Sequence, residues 1–165
     1  MNNVFFCLLK SGFYSSFIVV FLLLFSACDK DDPEYQAEKD REIILEFIKD
    51  NNLDAHEVDD TGVFYVIDTE GVGGYPSSES FVQIKNMGFY LDKDDKVIVF
   101  QPLSTGDFYL KNTILGWQYG VPKFNRGAAG MLLIPSALGY GPYPGYSGLP
   151  PNQVLFFEIE MIDFD

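Results

Sequence analysis

The segment from Ile134 to Asn152, IPSALGYGPYPGYSGLPPN, holds the residues best suited to contact another molecule. Five prolines, four glycines and three tyrosines fall within it. Proline and glycine define the course of a loop, whereas tyrosine supplies an apolar ring with a polar hydroxyl. A loop of this composition either covers an apolar core or lines a binding site. The chemistry open to it depends on the reactive groups elsewhere in the chain.

Reactive groups of the usual catalytic kinds are scarce in this sequence. His56 is the single histidine, whereas a catalytic triad or a zinc site normally needs further partners. The Gly-x-Ser-x-Gly motif of hydrolases and a glycine-rich phosphate loop are both absent from the sequence. We therefore predict no metal and no cofactor, and we expect any enzymatic reaction to proceed without a strong acid, base or nucleophile.

Rotation about the peptide bond that precedes a proline is a reaction that needs none of these groups. Its barrier of about 18–20 kcal/mol comes from amide resonance, and no covalent bond is broken. The planar amide is more polar than the twisted transition state, so transfer from water into an apolar pocket lowers the barrier. A pocket of tryptophan, tyrosine and phenylalanine is sufficient, since removing about 1.4 kcal/mol speeds the reaction about tenfold.

Four segments in the second half of the chain resemble the FK506-binding-protein (FKBP) family of peptidyl-prolyl isomerases. They are ILGW (114–117), YGV (119–121), LIPSALGYG (133–141) and GLPPNQVLFFEIEMI (148–162). The spacing between them also resembles that of the family. The resemblance implies an α+β fold, in which an antiparallel sheet curves around one short helix. It also implies that the substrate is a proline-containing polypeptide.

The resemblance assigns roles to residues that would line one apolar pocket. The residues given a catalytic role are Trp117 as the pocket floor, Tyr140 with its hydroxyl directed at the substrate carbonyl, and Phe157 at the side. The residues given a substrate-binding role are Phe100, Gln101, Ile114 and Leu149. The loop that follows Tyr140 would then be the flap over the proline pocket. An aromatic core beneath a tight loop is the alternative interpretation of each residue taken singly.

Three positions depart from the family pattern. Asn86 stands where the family has a tyrosine, Gln101 where it has an aspartate, and Gly106 where a second aromatic residue is expected. The missing aspartate usually bonds a pocket tyrosine and polarises the site, whereas Gln101 forms hydrogen bonds without a charge. We therefore expect a wider and less aromatic pocket with weaker catalysis.

The elements around these segments are predicted from periodicity and turn residues. Ile43, Ile44, Phe47 and Ile48 have helical spacing and predict a helix from Glu34 to Asn51, which is either a packed flank or a spacer. Strands are predicted at 62–71, 81–91, 96–103, 129–134 and 153–164. A short helix is predicted after Asn112 as its cap, ended by Gly120 and Pro122. The fold class is α+β, with the main domain at 60–165 and a helical flank at 36–59.

The N-terminal residues have the layout of a bacterial secretion signal. Lys10 precedes the apolar run Phe17–Phe25, which is short for a membrane-spanning helix. The sequence LFSAC that ends at Cys28 resembles a lipobox, which predicts a signal peptide at 1–27 and a lipid on Cys28. An uncleaved N-terminal anchor is the alternative. Residues 28–35 would form an acidic tether to the membrane.

The residues after Cys28 bear on location. The sequence CDKDD resembles the export signal of surface lipoproteins in Bacteroidetes, although an ordinary acidic linker has the same composition. We expect an outer membrane lipoprotein, at either the surface or the periplasmic face. A formal net charge of −13 makes nucleic acid an unfavourable partner.

Three functions remain open on the sequence alone. The first is a prolyl isomerase of the cell envelope that assists the folding of exported proteins. The second is a binding module of the same fold, weakened in catalysis, that holds extended polypeptide; Asn86, Gln101 and Gly106 favour it. The third is a surface lipoprotein that binds glycans or another envelope protein through Tyr143 and Tyr146. Convergence of Trp117, Tyr140 and Phe157 on one pocket would separate the first two functions from the third.

Overall fold

The computed structural model describes residues 32–145 and 148–165. Cys28 and the predicted signal peptide at 1–27 lie outside the described residues, as does Tyr146. In the described ranges, no helix is both long enough and apolar enough to cross a membrane.

The described chain contains six strands and two α-helices. In chain order they are α1 (Pro33–Asp50), β1 (Ala55–Glu57), β2 (Phe64–Thr69), β3 (Phe81–Leu91), β4 (Val97–Tyr109), α2 (Leu115–Gly120), β5 (Ala129–Ile134) and β6 (Leu155–Phe164). Three short 3₁₀ turns lie at Leu110–Asn112, Val121–Lys123 and Ser136–Leu138. All strands pair antiparallel in one sheet, in the order β1-β2-β5-β6-β3-β4. The predicted α+β architecture, with one short internal helix and one N-terminal helix, is confirmed.

Strand β6 shows how the sheet divides the core in two. Leu155, Phe157, Ile159 and Met161 are buried, as their alternation predicts, and they lie on the face that also carries Trp117. We call this the pocket face. Phe156 points to the opposite face and is equally buried, although the alternation predicts a single buried face for this strand. That prediction fails at Phe156 because α1 covers the second face, which we call the helix face.

Helix α1 is packed on the sheet through its apolar side chains. Ile44 is fully buried on the helix face, and the Phe47 ring centroid lies 4.4 Å from that of Phe156. Phe89 stacks on Phe156, with ring centroids 5.2 Å apart and an interplanar angle of 11°, and its centroid lies 6.3 Å from that of Phe47. Of the two roles left open by the sequence, the helix is thus a packed flank and not a free spacer.

A short strand lies inside the segment that the sequence predicts to be helical flank. Strand β1 pairs with β2, so His56 is a sheet residue whose ring centroid lies 5.6 Å from that of Tyr65. Glu57 of this strand accepts two hydrogen bonds from Arg41 of α1, at 3.1 and 2.9 Å. The sequence Ala-His-Glu is too short and too polar to show strand alternation, which explains why periodicity does not detect it.

Strand β4 continues beyond its predicted end at residue 103 because the sheet tolerates a proline there. The pairing register with β3 shifts between Asn86 and Gly88, which leaves Pro102 and Leu103 in a bulge. Proline has no backbone N–H and is confined in sheets to edges and bulges, and β4 is an edge strand. Bulges often redirect side chains next to functional sites, and this one lies directly beside Gln101.

Candidate active site

Helix α2 lies very close to the sheet because two of its residues have no side chain. A Cβ added to Gly116 would lie 2.3 Å from Ile134 Cγ2, and one added to Gly120 would lie 2.5 Å from Leu132 Cδ2. Both distances are below any real carbon–carbon contact, so glycine is required at these positions. The close approach places Trp117, between the two glycines, against the pocket face, where it is buried.

The start of α2 differs from the sequence prediction. Its N-cap is Ile114, in an extended backbone conformation, and not Asn112, which ends the preceding 3₁₀ turn. The turn is closed instead by Thr113, whose hydroxyl donates to the Leu110 carbonyl at 2.7 Å. The Ile114 carbonyl accepts from the Trp117 N–H at 3.0 Å. Ile114 therefore fixes the first turn of α2 while its half-buried side chain packs against the core of the pocket face.

The predicted site residues converge in one series of aromatic contacts. The Trp117 and Phe157 ring centroids lie 5.3 Å apart at 83°, and those of Phe157 and Phe100 lie 5.7 Å apart at 85°. The Phe100 and Tyr140 centroids are 6.4 Å apart at 90°. Edge-to-face geometry of this kind is the favourable arrangement of aromatic pairs. Leu149 is buried in the same core.

Gly88 makes room for two of these rings. A Cβ at this position would lie 2.7 Å from Phe100 Cζ and 2.8 Å from Phe157 Cε1. Phe100 and Phe157 can therefore lie against the strand backbone only because residue 88 has no side chain. An isolated glycine inside a strand pattern is the sequence signal for such a close approach, and it is present in KNMGFYL.

Phe108 is a site residue that the sequence interpretation missed. Its ring lies over Gly106, where a Cβ would be 2.8 Å from Phe108 Cζ, and its centroid is 5.2 Å from that of Trp117 at 72°. The aromatic residue expected at position 106 is absent, but a ring from two residues further along the same strand face covers the gap. Asn86 still stands where the family has a tyrosine, so the expectation of a less aromatic pocket stays a prediction. Residues i and i+2 of a strand share a face, which is the signal that was available.

Asn86 and Gln101 form the polar part of the site. Gln101 Nε2 donates a hydrogen bond to Asn86 Oδ1. Asn86 is fully buried, and it lies between Ile84 and Gly88 on the pocket face of β3 by strand alternation. Two of the three positions that depart from the family pattern therefore bond each other, through two neutral amides.

Two buried donors in this region have no hydrogen-bond partner among the described residues. They are Asn86 Nδ2 and Trp117 Nε1. Leaving a buried donor unpaired costs about 1–3 kcal/mol, and native structures contain few such groups. Both nitrogens belong to residues of the pocket face, so this face carries hydrogen-bonding capacity that the fold itself does not use.

The segment that carries Tyr140 is organised by backbone hydrogen bonds. The Ser136 carbonyl accepts from the N–H groups of Gly139 and Gly141, at 3.0 and 2.9 Å, and these glycines flank Tyr140. Gly141 has a positive φ of 62°, which glycine adopts without strain. The Gly141 carbonyl accepts from the Asn152 N–H at 2.9 Å, which ties the start of the flap to its end.

Acids with clearly shifted pKa values lie outside this set of residues. The hydrogen bond from the Arg41 guanidinium lowers the pKa of Glu57, and the Arg126 guanidinium lowers the pKa of Asp163 in the same way. The backbone N–H groups of Lys96 and Asp94 lower the pKa of Asp92 at the β3–β4 turn. Each shift reflects stabilisation of a surface carboxylate. The aromatic series and its amide pair contain no carboxylate.

Comparisons with known proteins identify the family to which this fold belongs. The family model of FKBP-type peptidyl-prolyl cis-trans isomerases matches residues 74–162, more than half of the chain. FkpA, an FKBP-type peptidyl-prolyl cis-trans isomerase of Escherichia coli strain K12, is 30% identical over 138 residues, which cover 82% of this chain and 48% of that protein. The chain thus spans about half the length of the curated relatives it matches.

Solved structures agree with the sequence comparison. A peptidyl-prolyl cis-trans isomerase of Pseudomonas syringae pv. tomato superposes with a TM-score of 0.65 at 28% identity, covering 82% of this chain and 98% of that chain. The crystal structure of FkpA from Escherichia coli gives a TM-score of 0.62 at 26% identity, covering 94% and 75% of the two chains. The chain belongs to the FKBP-type peptidyl-prolyl cis-trans isomerase family.

Proposed function

We propose that this protein isomerises prolyl peptide bonds in polypeptides, with Trp117 as the floor of the pocket. The observation that carries the proposal is the unbroken series of edge-to-face contacts that joins Trp117, Phe157, Phe100 and Tyr140. Membership of the isomerase family supports it. The substrate is a proline-containing chain, since an apolar aromatic pocket suits the pyrrolidine ring and the residue before it.

The reaction follows from the groups in the pocket. The aromatic walls withdraw the prolyl amide from water, which removes solvation that favours the planar, more polar form. The family resemblance supports a role for the Tyr140 hydroxyl as a donor to a substrate carbonyl, and Asn86 Nδ2 is a second donor on the pocket face. Fixed neutral donors of this kind stabilise a twisted amide without proton transfer.

The test is the cis-to-trans relaxation of short proline peptides at low temperature, with the full chain held in mild detergent micelles. We expect the rate to rise in proportion to protein concentration, and to be highest for peptides with an apolar residue before proline. Val72→Ala is the matched control, because Val72 is exposed and lies outside the aromatic series. An uncatalysed rate at micromolar protein, with peptide binding intact, would overturn the enzymatic proposal.

A binding module with weakened catalysis is the second candidate, and the Asn86–Gln101 pair favours it. Two neutral amides occupy the positions at which the family pattern has a tyrosine and an aspartate. An amide pair can form hydrogen bonds with a polypeptide backbone, but without a charge these bonds are weaker and the site is polarised less. Measurable peptide affinity together with a small rate enhancement would support this candidate over the first.

We further propose that the protein acts in the cell envelope, on exported proteins, as a lipoprotein anchored through Cys28. Support comes from the sequence: the short apolar run after Lys10 and the LFSAC sequence have the form of a lipoprotein signal. Several acyl chains would hold it firmly, since each buried CH₂ contributes about 0.8 kcal/mol. Metabolic labelling with palmitate tests this, because Cys28→Ser is expected to abolish labelling. Labelling of the variant equal to that of the wild type would contradict the proposal.

A further inference from the structure

Asp40 of helix α1 is a buried acid with an unusual set of partners. Its exposed fraction is 1%, and no cation is among its hydrogen-bond donors. Oδ2 accepts from the backbone N–H and the hydroxyl of Ser136, at 2.7 and 2.6 Å, and Oδ1 accepts from Gln36 Nε2 at 2.6 Å. Burying a carboxylate is costly unless it is hydrogen-bonded. Two of the three bonds are directed at a single residue far along the chain.

Ser136 joins this acid to the segment that carries Tyr140. It lies directly after Pro135 and opens the 3₁₀ turn Ser136–Leu138. While its N–H and hydroxyl donate to Asp40, its carbonyl accepts from Gly139 and Gly141, the two neighbours of Tyr140. All the polar groups of Ser136 are therefore used, on one side by α1 and on the other by the Tyr140 segment.

Contacts other than those of Asp40 also attach α1 to the sheet. Ile44 and Phe47 pack into the helix-face core, and Arg41 makes a two-pronged contact with Glu57. A helix that needs only to be held in place has these contacts for the purpose. Hydrogen bonds to a charged acceptor are short and strong. Here two of them come from Ser136, at the start of the segment that carries Tyr140.

We propose that Asp40 is a positioning residue, which acts through Ser136 to hold Tyr140 in its catalytic orientation. Helix α1 lies before the part of the chain that matches the family model, 74–162. The proposal therefore makes a helix outside the matched range a component of the active site. The catalytic part of this inference rests on the proposed isomerase function. The structural part, the restraint of residues 136–141 by Asp40, stands independently of it.

The test compares four variants of the full chain in detergent micelles. Asp40→Ala removes all three bonds. Asp40→Asn is the conservative rescue, because its carbonyl accepts both Ser136 bonds and its NH₂ donates to Gln36 after the glutamine amide rotates. Ser136→Ala removes only the hydroxyl bond and is the milder disruption. Arg41→Gln is the matched control, since it weakens a contact of the same helix that does not reach the flap.

Two measurements separate positioning from stability. Hydrogen exchange of the backbone amides at 137–141 is expected to quicken at least tenfold in Asp40→Ala, whereas amides in the centre of β6 stay protected. In the peptide assay, kcat is expected to fall about tenfold with KM changed less than threefold, because misplacing a catalytic group acts on the chemical step. Asp40→Asn is expected to restore both values to within about threefold, and Arg41→Gln is expected to change neither.

The outcomes distinguish the two proposals. If wild-type protein has no isomerase activity but exchange at 137–141 still quickens in Asp40→Ala or Ser136→Ala, the proposed function fails and the restraint survives. Unchanged exchange at 137–141 in folded Ser136→Ala and Asp40→Ala overturns the inference. If Asp40→Ala does not fold, Ser136→Ala decides alone, and equal losses in Ser136→Ala and Arg41→Gln overturn the positioning role.

Discussion

Phe156 and Phe157 are neighbours on β6, and both are almost fully buried. They point to opposite faces of the sheet, and these faces differ in whether buried polar groups have hydrogen-bond partners. On the helix face, the buried carboxylate of Asp40 has three hydrogen bonds. On the pocket face, the Asn86 and Trp117 nitrogens are buried without partners among the described residues. Each unpaired donor costs about 1–3 kcal/mol. The unpaired donors of the pocket face therefore lower the free energy of unfolding, whereas the fully bonded carboxylate of the helix face carries no such cost.

The aromatic geometry shows the same contrast. Phe89 and Phe156 stack nearly parallel on the helix face, at 11°, and α1 covers them. The rings of the pocket face meet edge to face, at 72–90°. The two faces therefore pack their aromatic rings differently, and the proposed binding surface lies on the pocket face.

The largest expected effect comes from truncating Trp117, the proposed floor of the pocket. Trp117→Ala is expected to lower the free energy of unfolding by about 3–5 kcal/mol and to abolish isomerisation. Phe156→Leu, its counterpart on the helix face, is expected to cost about 1–3 kcal/mol of stability while keeping kcat/KM close to wild type. Urea unfolding followed by circular dichroism, together with the peptide assay, measures both quantities. Equal loss of kcat/KM in the two variants would remove the functional distinction between the faces.

A smaller effect is expected from adding one methyl group beneath the rings. Gly88→Ala places a Cβ 2.7 Å from Phe100 and 2.8 Å from Phe157, and overpacking of this kind costs about 1–3 kcal/mol. Because both displaced rings line the pocket, we expect kcat/KM to fall more steeply than stability. Gly74→Ala is the control, since no atom lies within 4 Å of the added carbon. The assignment of Phe100 and Phe157 to the pocket is wrong if Gly88→Ala binds and isomerises peptides normally.

The residues of the pocket face also show which parts of the site sequence patterns predict and which they miss. Trp117, Tyr140 and Phe157 lie in continuous segments that resemble the family, and the α+β class follows from strand alternation and one short helix. Phe108 was missed because the expected aromatic position, 106, holds glycine, and only the folded strand shows a ring turned back over it.

Asp40 is the clearest case of a residue that sequence patterns conceal. It lies in a helix rich in charged residues, where a solvated acid is the ordinary interpretation. Its partner, Ser136, is 96 residues away, so only tertiary structure brings the two together. Strand β1 escaped prediction for a related reason, because its pairing with β2 and not its own composition makes it a strand.

The amide pair gives an intermediate effect and a test of pH dependence. In Gln101→Glu the new carboxylate can accept from Asn86 Nδ2, which withdraws this donor from the substrate, and Asn86 Oδ1 loses the hydrogen bond from Gln101 Nε2. We expect kcat/KM to fall about two- to tenfold, the contribution of one hydrogen bond. The wild-type rate is expected to be flat between about pH 5.5 and 8.5, because amide side chains do not titrate. The variant should recover part of this loss as pH falls through the pKa of the new glutamate, because a protonated carboxyl can donate to Asn86 Oδ1 and release Nδ2.

The measurement is kcat/KM of the wild type and of Gln101→Glu between about pH 5.5 and 8.5, at constant ionic strength. Gln101→Leu is the partner variant, because it removes the hydrogen bond without adding charge and is expected to be slower than wild type. An acidic limb in the wild-type profile would show that an ionisable group contributes to catalysis, contrary to the neutral site described above.

The smallest effect belongs to the helix face and concerns stability alone. The Arg41 guanidinium lowers the pKa of Glu57, so the folded state binds a proton less readily than the unfolded chain does. The pair's contribution is present above the unfolded pKa of about 4.3 and is lost as pH falls through the folded value. Arg41 is half exposed, so solvent screening keeps the contribution at neutral pH to about 0.2–1 kcal/mol.

Glu57→Gln therefore makes the protein slightly less stable at pH 7, and its free energy of unfolding should change less than that of wild type between pH 6 and 3. Urea unfolding at a series of pH values measures the difference, with Glu79→Gln as a control at an exposed ion pair with Lys111. Since Glu57 lies in β1, on the strand furthest from β4, kcat/KM should stay unchanged at pH 7. A fall in kcat/KM comparable to that of Asp40→Ala would mean that any loosening of α1 disturbs the pocket, and the distinction between the contacts of Arg41 and those of Asp40 would be lost.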